Sequence, residues 1–378
     1  MHDTIRPLLV ALLLPTALAA QTESGAFVVR LGKDTLALEQ YSRSADRLEG
    51  QLVIRSPRTQ HRIYRASLGP DGAVQRFELI THNLSGAGPA EQRATLEFQG
   101  DSAIARVPRG DSTVTQRFAV APGTAPFLIH HYGLVEYLAW RAVMAGGERY
   151  TGWAVQLGAT SALPVTAQRA GADSLVLSVG PLGPFRMKVG PTGRLEGLSG
   201  VGSTVQVMVE RLASLDIGPY GPAFANRPLG TLSPLDSVQA AIRGAAVAVK
   251  YSRPSMRGRT IFGQVVPWNQ VWRTGANAAT LFETSADLVM GGSTVPAGKY
   301  TLWTIPSPAG WKLIVNKNTG QWGTEYDAAH DLLRLDMTVE TVAQPVEQFT
   351  ISIEPRGQGA VLAIAWETTR ASIAVAKK

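Results

Sequence analysis

The sequence predicts a mainly β protein built from two parts. From Gly25 to about Arg211, short runs alternate apolar with polar residues, and Gly, Pro, Asp and Asn separate the runs. Such alternation is typical of antiparallel strands with one buried and one solvated face. A sheet of this kind must protect its edges. We therefore predict an N-terminal antiparallel meander, forming a half-barrel or a barrel with one covering helix, and a C-terminal β-sandwich-like domain with one short helix.

The first 20 residues have the layout of a secretory signal peptide. Arg6 gives a weakly positive start, Leu8 to Leu14 is a short apolar run, and Ala17-Leu18-Ala19 supplies small residues for cleavage. No later stretch approaches ~20 unbroken apolar residues. We therefore expect an exported protein, periplasmic or extracellular, that does not span a membrane.

Residues 21–213 are predicted to form the N-terminal β domain. Its strand pattern is interrupted by APFLIHHYGLVEYLAWRAVMAGG, which has apolar residues near helical spacing and ends in Gly146-Gly147. We predict one amphipathic helix that covers the open face of the meander. This arrangement resembles the curved half-barrels of bacterial envelope carriers in architecture only, and no motif transfers a function.

Residues 214–244 are rich in Pro and Gly and lack periodicity, so they are predicted to be a linker, with one helical turn at LDSVQAAI. Residues 245–378 are predicted to form the second β domain. Apolar alternation in AVAVKY and QFTISIE indicates strands, and MGGSTVPAGKYTLWTI indicates a hairpin. A helix is predicted over TEYDAAHDLLRLDM.

The composition limits the chemistry. The 378 residues carry a formal net charge of +7 and no cysteine, which excludes disulfides and thiolate sites. A basic balance permits an anionic small molecule, a glycan or a lipid headgroup as partner. We expect no nucleic acid as partner, because no nucleic-acid-binding module is recognisable. The oligomeric state stays open.

From Tyr251 onward the chain resembles a bacterial family of unassigned activity, DUF2911. The matching segments are YSRPSMRGRTIFG, VPWNQVWRTGANAAT, VPAGKYTLWTIP, WKLIVN, GQWGTEYD, DLLRLDM and LAIAWE. The resemblance covers about residues 245–375 and leaves the N-terminal part unassigned. It implies an envelope or extracellular setting and a domain boundary before the strand of Tyr251. It supplies no catalytic residues.

Uncompensated positive charge is concentrated between Tyr251 and Thr280. Guanidinium groups bind planar oxyanions through paired donors, and tryptophan stacks on sugars or arginines. The alternative is a structural cluster, in which the arginines stack on tryptophan and pair with distant acids such as Glu283, Asp331 or Glu347. The candidate ligand-binding residues are Arg253, Arg257, Arg259, Trp272, Arg273, Asn277 and Thr280.

Other chemistry is weakly indicated. Adjacent His130 and His131 point to different faces of the predicted helix and lack a ligand partner four residues on, so we expect no metal. His330 with Asp327 is interpreted as a surface pair. No phosphate-binding loop, dinucleotide fingerprint or nucleophile elbow is present, so we expect no cofactor and assign no catalytic residue.

These observations favour an exported, non-enzymatic protein that binds an anionic or glycan-type ligand at the arginine cluster. Two alternatives stay open. One is an envelope hydrolase with unrecognised catalytic residues, which a cleft carboxylate of raised pKa beside Arg273 would favour. The other is a structural or adhesive module, which a large exposed apolar patch would favour.

Overall fold

A computed structural model describes residues 22–86 and 89–378, and within them it confirms a mainly β protein. The strands form a 15-stranded sheet followed by a nine-stranded sheet. Each sheet has its own cluster of buried apolar side chains. The predicted signal peptide, residues 1–20, lies outside the described residues.

The first sheet contains the predicted meander. Its strands are β1 (Glu23–Leu31), β2 (Asp34–Arg43), β3 (Arg47–Ile54), β4 (Gln60–Leu68), β5 (Val74–Asn83), β6 (Glu91–Gln99), β7 (Ser102–Arg109), β8 (Ser112–Ala119), β9 (Ala125–Pro126), β10 (Arg149–Val155), β11 (Leu163–Gly171), β12 (Ser174–Val179), β13 (Phe185–Val189), β14 (Leu195–Ser199) and β15 (Met208–Leu212).

Strand β1 is the centre of this sheet, because it pairs with β2 on one side and with β15 on the other. The order runs from β8 back to β1 and then from β15 back to β9. All pairs are antiparallel except β9 with β10. Over the described residues the order ends at β8 and β9, so the sheet is open and not a closed barrel.

The predicted covering helix is present as α1 (Tyr132–Met144), and its residues Leu134, Val135, Tyr137 and Leu138 belong to the core of the first sheet. Its N-cap residue, His131, makes no side-chain capping bond. The buried carboxylate of Glu39 instead accepts hydrogen bonds from the backbone N–H groups of Tyr132 and Gly133. A strand residue thus satisfies free donors at the start of the helix.

The segment after β15 is held against the first sheet. It contains a short helix, α2 (Tyr220–Phe224). Arg55 donates from Nε to the carbonyl oxygen of Arg227 at 2.9 Å, and the N–H of Leu229 donates to the Arg55 carbonyl at 2.7 Å. The aperiodic part of the predicted linker therefore has fixed hydrogen-bond partners.

The second sheet has the order β16-β17-β18-β21-β22-β23-β24-β19-β20. Its long strand β23 pairs with β22 over its first residues and with β24 further on, with irregular register between Thr341 and Thr350. The strands are β16 (Leu235–Ile242), β17 (Ala245–Ser252), β18 (Thr280–Thr284), β19 (Leu288–Met290), β20 (Ser293–Val295), β21 (Gly298–Ile305), β22 (Trp311–Asn316), β23 (Asp331–Arg356) and β24 (Gly359–Lys377).

Two helix predictions are wrong. The segment LDSVQAAI is strand β16, and its residues pair with β17 from Leu235 to Ile242. The segment 324–337 contains a single 3-10 turn, Ala328–His330, followed by the start of β23. Among the described residues, no helix has the length and apolarity needed to cross a membrane.

Candidate functional site

The two sheets meet at a close junction built on Arg257. Its Nη1 lies 2.6 Å from Oδ2 of Asp34, and its carbonyl oxygen accepts from the N–H of Lys33 at 2.9 Å. Gly32 has φ +60°, and a Cβ there would lie 2.2 Å from the Arg257 oxygen. Only glycine gives the backbone both this conformation and this approach.

A second set of contacts joins the sheets elsewhere. Thr324 donates from Oγ1 to the carbonyl of Pro181 at 3.2 Å, and Nη2 of Arg273 donates to the carbonyl of Ser203 at 3.4 Å. A cavity of about 350 Å³ takes its walls from both sheets, with Leu31, Ile129 and Val205 from the first part of the chain and Arg259, Trp272, Arg273 and Asn277 from the second. The candidate site is therefore shared between the two parts.

The loop that carries Arg273 is held in costly backbone geometry. Thr274 has φ +54° and Asn277 has φ +60°, and a β-branched residue rarely adopts such a φ. Trp272 exchanges backbone hydrogen bonds with Thr304, at 2.8 and 2.9 Å. Thr280 donates from Oγ1 to the Thr274 carbonyl at 2.7 Å. These bonds fix the loop in a conformation of the kind that recurs at functional sites.

Arg273 is a buried cation without a counter-charge. It is 8% exposed, and no carboxylate lies within salt-bridge distance among the described residues. Its buried Nε has no hydrogen-bond partner in the described chain. Burial lowers the pKa of Arg273 to about 10, so the guanidinium stays charged at neutral pH. A buried charge of this kind is costly unless a partner arrives.

Arg259 is the second cation on the cavity wall. Its Nε and Nη2 donate to the carbonyl oxygens of Met256 and Ser255, at 2.9 and 2.7 Å, which leaves Nη1 without a partner in the described residues. Burial lowers its pKa to about 10, and neighbouring Arg257 acts in the same direction. The cavity lining contains no aspartate or glutamate from the described chain.

Three of the seven candidate residues have structural partners and do not line this cavity. Each guanidinium nitrogen of Arg253 donates one hydrogen bond. Nη1 donates to Asp236 at 2.9 Å, Nη2 to Thr350 at 2.8 Å, and Nε to the carbonyl of Phe349 at 3.0 Å. Arg257 is bound to Asp34 at the junction, and Thr280 supports the Arg273 loop. The acids that pair with Arg253 and Arg257 are Asp236 and Asp34, and not Glu283, Asp331 or Glu347, which the structural alternative named.

The other four candidates, Arg259, Trp272, Arg273 and Asn277, line the same cavity. The ring of Trp272 packs against other aromatic rings and stacks on Trp366 with centroids 6.0 Å apart. Asn277 donates weakly to Oγ of Ser252, at 3.4 Å. The interval from Arg259 to Asn277 therefore supplies four side chains that line the same cavity.

The sequence did not reveal His130 as a site residue. His130 precedes α1 with φ +69°, lines the cavity, and has a buried Nδ1 with no hydrogen-bond partner in the described chain. Burial, with a smaller effect from Arg62, lowers its pKa to about 4, so the ring is neutral at pH 7. No sequence pattern singles out His130 from His131, which lies buried against Tyr64.

Arg273 also lines a larger cavity of about 740 Å³, together with Pro181, Trp303 and Tyr326. Two buried carboxyls with raised pKa lie elsewhere, at Glu39 and Glu136, and neither lines a cavity with Arg273. Within the described residues, no cluster of three His, Asp or Glu side chains suits a metal ion.

The fold and the cavity define a mainly β protein whose two sheets enclose a cationic site between them. Residues 233–375 match the family described as "Protein of unknown function (DUF2911)", as the motifs of the C-terminal part predicted, and the N-terminal part matches no family. No curated protein matches the chain.

Two solved structures are similar to parts of the chain. One is a DUF1089 family protein from Pseudomonas aeruginosa, with a TM-score of 0.34, 14% identity, and coverage of 46% of this chain and 94% of that chain. The other is a β-barrel-like protein with the domain of unknown function DUF1849 from Brucella abortus, with a TM-score of 0.33, 11% identity, and coverage of 52% and 96%.

Proposed function

We propose that this protein binds a small anionic ligand in the cavity between its two sheets, without chemical conversion of the ligand. The observation that supports this most directly is Arg273, a buried guanidinium with no carboxylate partner on a wall that lacks acidic residues in the described chain. Water-excluded guanidinium groups bind carboxylate, phosphate or sulfate more strongly than exposed ones do.

The N-terminal pattern supports an envelope setting. The charged start, short apolar run and small residues of positions 1–20 are typical of export, so we propose that binding takes place in the periplasm or outside the cell. The feature that would favour a hydrolase is a cleft carboxyl of raised pKa beside Arg273. The two buried carboxyls with raised pKa, Glu39 and Glu136, line neither cavity that Arg273 shares, whereas Glu325 lines the larger one.

Isothermal titration with acetate, phosphate and sulfate tests the proposal, with Arg273→Gln compared to Arg186→Gln. Both variants remove one positive charge, but Arg186 is exposed and lies outside the cavity. We expect at least one of these anions to bind, and Arg273→Gln to lose about tenfold affinity or more because a buried charge pair is lost. Arg186→Gln should bind nearly as the parent does.

The free energy of unfolding separates a binding role from a structural one. A binding arginine that is buried without a counter-charge should leave the ligand-free protein equally stable, or more stable, when it is replaced by Gln. Marked destabilisation by Arg273→Gln together with no anion binding to the parent would mean that Arg273 only supports the fold.

A further inference from the structure

Besides the two arginines and His130, the polar residues that line the cavity between the sheets are Ser56, Thr204, Gln206, Thr231, Ser233 and Asn277. More than half of the lining residues are apolar side chains. Both parts of the chain contribute these side chains, and they include Leu31, Ile129, Val207, Leu232 and Val266. A small hydrophilic anion would occupy the guanidinium and leave this wall facing water. Covering an apolar wall with an apolar ligand body is favourable in proportion to the area removed from water.

The tryptophans of the cavity offer little to a sugar ring. Trp272 and Trp366 stack on each other, and Trp272 also packs edge-to-face on Phe349 with centroids 5.3 Å apart. They are only 8% and 2% exposed. A ring that recognises a glycan presents an open face, whereas these rings contribute edges to an apolar wall. The aromatic residues therefore favour an apolar ligand body over a glycan.

A small second cavity of about 10 Å³ adjoins the first and leads toward helix α1. The two cavities share Ile129, His130 and Val205. Its remaining lining residues are apolar or aromatic, namely Phe127, Tyr132, Val135, Phe185 and Leu198. A space of this size holds about one water molecule, and its walls give that water few partners. It suits the end of an apolar chain.

His130 stands where the two cavities meet. Its left-handed backbone and its unpartnered Nδ1 are both unfavourable without compensation. A neutral imidazole offers a ligand one hydrogen bond and no charge. Within the described lining, Arg259 and Arg273 are therefore the charged residues of the larger of these two cavities, and the small cavity toward α1 is lined by uncharged residues.

We infer that the ligand is an amphiphilic acid, with its anionic group at Arg273 and its apolar body extending past His130 toward the cavity beside α1. This inference rests on the proposed function and specifies the class of anion. It distinguishes an acid with an apolar chain from an inorganic anion and from a polar sugar acid, which share only the charged group.

The test is a titration series of straight-chain carboxylates from butanoate to decanoate, below their micelle concentrations, with sulfate and galacturonate as hydrophilic comparisons. We expect affinity to rise about fourfold for each added methylene while the chain enters the apolar walls. Octanol, which lacks the charge, should bind at least about tenfold more weakly than octanoate.

A substitution at Val205, with a control at Val339, tests where the apolar chain of the ligand lies. Val205→Phe adds bulk where the two cavities meet, so it should weaken decanoate binding about tenfold and butanoate binding by a much smaller factor. Val339→Phe makes the same change at an exposed position of β23 and should alter neither. Arg273→Gln should weaken every carboxylate by a similar factor.

The outcomes separate this inference from the proposed function. If sulfate or galacturonate bound as tightly as octanoate, with no gain per methylene, the amphiphilic class would be wrong and anion binding would stand. If no anion bound at all, both would be wrong. If Val205→Phe bound the longer carboxylates with the same gain in affinity per methylene as the parent, the placement of the apolar chain toward α1 would be wrong.

Discussion

Arg273 takes its position from a residue that has no side chain. A Cβ on Gly323 would lie 2.1 Å from Cδ of Arg273 and 2.4 Å from the carbonyl oxygen of Asn277. The N–H of Gly323 donates to that carbonyl at 3.0 Å, which fixes the close approach. Glycine at position 323 therefore decides where the buried guanidinium lies.

Replacement of Gly323 by alanine should displace Arg273 without removing its charge. The backbone of Gly323 is not left-handed, so alanine meets a steric contact and no conformational strain. We expect anion affinity to fall about tenfold and stability by about 1–2 kcal/mol. Titration calorimetry and chemical denaturation measure both effects.

Gly171→Ala is the matched control, because a Cβ there has its nearest neighbour at 3.8 Å. Equal anion affinity in Gly323→Ala and in Gly171→Ala would show that the position of Arg273 does not determine binding.

At the residue scale, the sequence places four residues of the candidate site close together, but it does not show which arginines have an acidic partner. Arg259, Trp272, Arg273 and Asn277 lie in one short interval, so their convergence follows from a single folded segment. Asp34 and Asp236, which bind Arg257 and Arg253, are supplied by other strands. Only the pairing of distant elements decides which arginine is left without a partner.

Among the elements, helix α1 depends on Glu39 of strand β2. The side chain accepts from the first N–H groups of the helix and from Tyr64 Oη at 2.7 Å. Burial raises the pKa of Glu39 to about 7, against the lowering effect of these donors. The proton therefore binds more tightly in the folded state than in the unfolded state.

The sign of the pH dependence follows from that shift. A carboxyl with a raised folded pKa contributes stability at low pH that is lost as pH rises from about 4.5 to about 7. Glu39→Gln cannot ionise, so its stability relative to the parent should improve by up to about 3 kcal/mol across this window. Denaturation midpoints of both proteins, taken from pH 4.5 to 7.5, measure the difference.

A second variant keeps this pH comparison specific. Glu49→Gln removes an exposed carboxyl from the same sheet. In the parent, this carboxyl lies 4.0 Å from the exposed guanidinium of Arg47. This variant should follow the parent across the window. A parallel pH profile for Glu39→Gln and the parent would contradict the raised pKa of the buried Glu39.

Element types were predictable where the period was unambiguous. The helical spacing of α1 and the alternation of β1 to β8 predict the helix and the strands that the structure has there. The segment DLLRLDM fits both periods, and its pairing with β22, such as Leu313 with Leu335, makes it a strand that buries Leu335 and Met337. Partner strands decided this segment, as they commonly override local preference.

For the whole molecule, the contact of Gly32 with Arg257 controls how the sheets fit together. Gly32→Ala and Gly110→Ala impose the same left-handed strain, since the two φ angles are +60° and +61°. Only the first also forces a Cβ against the Arg257 oxygen, whereas Gly110 has no neighbour within 4 Å. We expect Gly32→Ala to be less stable than Gly110→Ala by about 1–3 kcal/mol.

The same pair of variants tests whether the cavity depends on the junction. Gly32→Ala should also weaken anion binding, because Leu31 and Arg259 lie on the cavity wall next to the displaced backbone. Differential scanning calorimetry and titration calorimetry provide the measurements. Equal stability and equal affinity of the two variants would show that the sheets meet without this contact.

The central place of β1 has a consequence for the order of folding. Val29 pairs with Ala37 in the next strand and with Val209 in a strand that is made much later. Local hairpins form early, whereas pairings between distant segments are slow. Until the segment containing Val209 is available, one edge of β1 stays open to other chains, and such edges promote aggregation. We therefore expect a chain that stops before Met208 to aggregate, although it contains the whole run from β1 to β8.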